Sequence, residues 1–76
     1  MPFDGEYIEQ QGYKYYKPEE YKGYLIVPVE NIATGERVFM CSKKGVPGWV
    51  ASDTKLENLG AKIDMFVLAE KYGVGK

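Results

Sequence analysis

The chain contains no histidine and a single cysteine, Cys41, among its 76 residues. The first absence removes the commonest general base and the commonest ligand of soluble metal sites. The second leaves no thiol pair for a zinc site or an intrachain disulfide. Without histidine, Cys41 also lacks the usual base that would make it a nucleophile. It falls in a predicted strand and reads as a small core residue. Arginine is as scarce, Arg37 being the only one. No apolar run approaches the roughly 20 residues that span a bilayer. The acidic, polar N-terminus lacks a signal-peptide pattern. A net charge of −1 supplies no whole-molecule attraction to nucleic acid or to an anionic membrane.

Other chemistry is missing too. The carboxylates Glu6, Glu9, Glu19, Glu20, Glu57 and Asp64 show no spacing that singles out an acid–base pair. Gly45-Val-Pro-Gly48 lacks both the glycine spacing and the following Lys-Ser/Thr of a phosphate loop. These gaps predict a non-catalytic protein with no cofactor, no metal and no membrane contact. The unpaired cysteine and the lack of targeting signals predict a reducing, cytoplasmic setting.

What is present is bulky and aromatic. Seven Tyr, three Phe and one Trp within a 45% hydrophobic composition indicate a folded chain. Its length predicts one small domain over residues 1–76 with one modest core. The clearest element is a helix over Thr54–Tyr72. Thr54 and Glu57 match a capping box, with Ser52 and Asp53 as rival N-caps. Gly73 supplies the left-handed stop, and Lys71 suits the negative end of the helix dipole. At roughly 100° per residue, Leu56, Leu59, Ile63, Phe66 and Val67 share an arc about 120° wide, the stripe expected to lie on a sheet. Gly60 borders that arc and marks either close approach to the sheet or a break in the helix. Ala61, Met65, Leu68 and Tyr72 form a second apolar face, covered either by the N-terminal arm or by a partner.

Three strands precede the helix. Tyr24–Val29 is nearly all apolar, which predicts partial cover on both faces. Pro28 cannot donate to a ladder, so an edge or a bulge is expected there. A hairpin loop over Asn31–Glu36 leads to the strand Glu36–Cys41, and a turn over Ser42–Gly45 leads to a short strand near Trp49-Val50-Ala51. The predicted fold is α+β: a three-stranded antiparallel meander over residues 21–51 packed against the helix of residues 54–72, with a tail at 73–76. Residues 1–20 form a Tyr-rich arm. Glu6–Glu9 and Tyr13–Tyr16 suggest a hairpin that either extends the sheet or covers its other side. Lys17–Glu20 reads as a turn or one helical turn from Pro18. Gly12-Tyr13 and Pro18 are echoed by Gly23-Tyr24 and Pro28, too little for a repeat architecture.

Alternation on the first strand puts Leu25, Val27 and Val29 on one face and Tyr24 and Ile26 on the other. Both are apolar, so the face that meets the helix is not fixed. Tyr13, Tyr15 and Tyr16 cannot all share one side of a strand, so part of the Tyr cluster is expected outside the core. Tyr recurs in recognition surfaces because it offers large contact area at low entropy cost. The principal expectation is therefore a protein-binding module using Tyr13, Tyr15, Tyr16 and Trp49, with Met65, Leu68 and Tyr72 on the helix. A phage or mobile-element accessory protein or inhibitor has this size. A homodimer joined through the second helix face is a further expectation.

The nucleic-acid alternative uses Arg37, Lys43, Lys44 and Trp49. Tyr21-Lys22-Gly23 opening a strand, Trp49 near the third strand and Ser52-Asp53-Thr54 before the helix resemble the AP2-type plant DNA-binding domain. That resemblance, one of topology and short stretches, implies DNA read by the sheet. Such domains rely on several arginines where this chain has Arg37 alone, so nucleic acid is disfavoured.

Overall fold

The computed structural model describes residues 3–73. Among them six strands and one helix follow in order: β1 (Tyr7–Gln10), β2 (Tyr13–Tyr16), β3 (Glu19–Tyr21), β4 (Tyr24–Asn31), β5 (Arg37–Lys43), β6 (Ala51–Asp53) and α1 (Leu56–Tyr72). Every pairing is antiparallel. The sheet order is β1-β2-β4-β5-β6, with β3 also on β4. The α+β class and the C-terminal helix are as expected, but the sheet has six strands where three were predicted. The Tyr-rich arm supplies the difference. Its hairpin extends the sheet, and Glu19-Glu20-Tyr21, expected in or beside a turn, pairs with β4. At the other edge β5 runs on to Lys43, and β6 begins only at Ala51, leaving Trp49 ahead of it.

Two dipeptides shape the hairpins. Gln11 and Gly12 have φ of 52° and 84°, and Lys22 and Gly23 have 52° and 86°. Two consecutive positive φ values define the type I′ turn, whose twist matches that of paired strands. The Gly-Tyr echo in the sequence is thus one device used twice, a left-handed Gly followed by the first residue of a strand. Between the turns, β2 and β3 run along the same side of β4. Tyr15 lies opposite Val29 and Glu19 opposite Ile26, so four steps on one strand face three on the other. The extra residue is a β-bulge. Asn31 donates to the Glu36 carbonyl at 2.8 Å, which sets alternate N–H groups of β4 toward β5. Pro28 therefore lacks its donor on the side of the bulge, where none is needed.

The helix covers the Tyr24/Ile26 face. Ile26, Cys41 and Ala51 form one row across β4, β5 and β6, and Leu59 and Ile63 pack over it with no exposed surface. Phe66 and Val67 flank them, half-buried. Leu56 departs from the predicted stripe and stays 45% exposed. It is the first helical residue and faces an open groove between α1 and β3.

The helix starts two residues later than expected, because Lys55 is its extended N-cap and no side-chain cap bond forms there. The Thr54–Glu57 capping box is therefore absent. Asp53 acts instead: its carboxylate accepts from the Lys55 N–H at 2.9 Å and pairs with Lys62 at 3.2 Å. Gly60 leaves the helix continuous, and a Cβ added there would meet nothing within 4 Å. It marks neither a break nor a close approach. Gly73 ends the helix at φ 71° as predicted. The predicted tail beyond it, residues 74–76, lies outside the described residues.

Polar ties join helix to sheet. The Tyr21 hydroxyl and the Lys22 ammonium both donate to Asp64, at 2.9 and 2.8 Å. Lys43 pairs with Glu70, to which the Tyr24 hydroxyl also donates at 3.3 Å. The Lys22 hydrogen bond holds the Asp64 carboxyl below the ordinary range, and Lys43 does the same for Glu70.

Candidate protein-binding face

The sheet face opposite α1 carries the candidate site. Successive strand residues point to opposite faces, so the register defines its rows. One row runs Ile8, Tyr15, Val29, Val38, and the next Val27, Met40, Ser52. Tyr13 stands beside Asn31 at one end. Trp49, in the loop before β6, comes to a shallow depression of about 350 Å³ shared with Tyr13, Tyr15, Val38 and Met40. Val29 forms its floor and is 2% exposed, whereas Tyr13 and Trp49 are 40% and 48% exposed. No helix lies on this face among the described residues.

These two rows contain no charged side chain. The charged pair Glu20–Lys44, at 2.7 Å, closes the end of the face beside Leu25 and Ser42. An uncharged centre rich in aromatic residues and methionine, with charge at the rim, has the anatomy of a protein interface core. Ile8, Val38 and Met40 were not singled out from sequence. The alternation of Val38 and Met40 along β5 was the available signal, but it needed the register to show that they join Tyr15.

The seven residues expected to contact a partner separate into three groups. Tyr13, Tyr15 and Trp49 converge on the uncovered face. Tyr16 does not: it turns to the helix side, is 7% exposed, and is a core residue. Phe3 and Tyr7 pack on its ring at centroid distances of 5.5 and 5.4 Å, and its hydroxyl donates to Glu30 at 3.1 Å. Burial, reinforced by the Glu30 charge, raises the Tyr16 phenol above its ordinary value. Met65, Leu68 and Tyr72 lie on the outer surface of α1, exposed. The β1–β2 hairpin extends the sheet and does not fold over them. The sheet and the helix stand between the two exposed groups, so no single flat partner surface meets both.

The cations of the nucleic-acid alternative are dispersed. Arg37 points to the helix side, 4.8 Å over the Phe3 ring and bonded to Glu30 at 3.4 Å. Lys43 is paired with Glu70 and Lys44 with Glu20. Each is engaged by a carboxylate. Arg37, the one arginine, is not on the sheet face opposite the helix.

Among the described residues, no group of three or more His, Cys, Asp or Glu side chains is arranged to hold a metal ion. No described helix is long and apolar enough to cross a membrane. No protein-family model, curated protein or solved structure matches the chain.

Proposed function

We propose that the chain is a non-catalytic protein-binding module whose partner docks on the uncovered sheet face, with Trp49, Tyr13, Tyr15 and Met40 at the centre of the contact. The observation that carries this reading is the asymmetry of the sheet. One face holds Leu59 and Ile63 of α1 with no exposed surface, while the other keeps an uncharged aromatic depression open. Aromatic anchors in such a setting typically supply most of the binding energy of an interface. Cys41, fully buried, with its thiol raised above its ordinary value by that burial, serves as packing in a reducing compartment.

Capture from a nuclease-treated lysate of the native source tests the reading, using the wild-type chain beside Tyr13→Ser/Trp49→Ala. Both side chains are exposed, so the double variant is expected to stay folded. A stoichiometric protein retained by the wild type and lost by the variant is the expected result. Recovery that disappears with nuclease would overturn it in favour of nucleic acid.

A second reading rests on the outer face of α1, where Met65 and Tyr72 are 65% and 67% exposed. It is a homodimer joined helix to helix, giving a two-sided scaffold. Molar mass in solution tests it: a dimer converted to monomer by Met65→Glu/Leu68→Glu supports it, and a monomeric wild type removes it.

A further inference from the structure

We propose that the groove between β3 and the first half of α1 is a second binding site, which takes an extended peptide segment carrying a bulky apolar side chain flanked by lysine or arginine. The site is independent of the sheet face, since it lies on the helix side. It encloses about 420 Å³ over a floor of Ile26, Pro28 and Phe39, with Leu56 at its lip. That volume suits one or two side chains and falls in the usual range of ligand clefts. The helix wall is low because Gly60 and Ala61 form it, and the space a Gly60 side chain would occupy is empty to 4 Å.

Two features select the occupant. The first is charge. Glu19, Glu57 and Asp64 line the groove, and no Lys or Arg does. Asp64 is balanced by Lys22 and Glu20, also in the lining, by Lys44, whereas Glu19 and Glu57 have no ion pair among the described residues. The rim is therefore net negative around an apolar floor, the complement of a cationic segment with an apolar anchor. The second feature is the open edge of β3. Tyr21 closes the type I′ turn opposite Tyr24, so Glu19 and Tyr21 bond to β4 and the peptide groups of Glu20 face outward. β1 reaches only as far as Tyr16 and does not cover them. A backbone donor and acceptor beside an apolar groove are what an added strand requires.

The test is a titration followed by backbone amide chemical shifts. One probe is a synthetic hexapeptide with a Leu-Phe centre and two lysines on each side, and the other has glutamates in place of the lysines. The lysine peptide is expected to give saturable shifts at Glu20, Ile26, Gly60 and Ala61 that shrink with added salt. The glutamate peptide is expected to give none. Glu19→Lys/Glu57→Lys should weaken binding at least about tenfold. Gly60→Leu, which fills the groove with a good helix former, should abolish it while the fold stays intact. Absence of shifts, equal response to both peptides, or shifts confined to Tyr15, Val38 and Trp49 would overturn the proposal. Loss of this site leaves the sheet-face reading standing, because Tyr13→Ser/Trp49→Ala does not touch the groove.

Discussion

Tyr15 and Tyr16 are neighbours of one type, yet strand alternation sends one to an open face and the other into a nest with Phe3 and Tyr7. No composition argument distinguishes them. Only the pairing of β2 with β4 does. The helix start shows a similar contest, in which Asp53 captures the Lys55 N–H and Thr54 makes no cap. Asp53→Ala is expected to cost about 1 kcal/mol of unfolding free energy and Thr54→Ala less than about 0.5 kcal/mol, measured by urea denaturation. Gly60→Ala should stabilise by about 0.5–1 kcal/mol, since it removes a helix-interior glycine where a Cβ has free space. Ile63→Ala, at a fully buried position, should cost about 2–5 kcal/mol.

At the scale of elements, the helix and the strong strand β4 were legible because periodicity and turn residues agreed there. The β1–β2 hairpin was legible as one of two options. β3 was not, because Pro18 and two consecutive glutamates mimic a turn. The strand exists only because the bulge lets it resume pairing with β4 after the proline. The type I′ turns are the corresponding control points. Gly23→Ala puts an L side chain at φ 86° and should cost about 1–2 kcal/mol in the same denaturation assay, with the added methyl meeting no other atom. Which sheet face meets α1 was undecidable from two apolar patterns. The Tyr24/Ile26 face took the helix, and the candidate site followed as its complement.

Across the whole molecule, three anionic groups hold helix and sheet in register. Asp53, Asp64 and Glu70 have carboxyls depressed in the folded chain by the Lys55 N–H, Lys22 and Lys43 respectively. A depressed carboxyl stabilises fully above its unfolded pKa, about 4, and the contribution is lost as pH falls through the folded value. Stability is therefore expected to fall as pH drops below about 4, by less in Asp64→Asn than in the wild type. Tyr16 and Tyr24 shift the other way, raised chiefly by burial. Their contribution is complete below about pH 10, the unfolded tyrosine value, and lost as pH rises through the folded values. Tyrosinate absorbance should accordingly show the Tyr16 and Tyr24 phenols titrating late in the folded chain.

A partner docked on the proposed sheet face covers Trp49, the only tryptophan in the chain. Replacing it biosynthetically with fluorotryptophan gives one fluorine resonance that reports on that face alone. The decisive measurement is this resonance, with its broadening by a soluble paramagnetic quencher, before and after addition of the captured partner. A shifted resonance, protected from the quencher in the complex, is the expected result. An unshifted, equally accessible resonance in a saturated complex would place the partner elsewhere and contradict it.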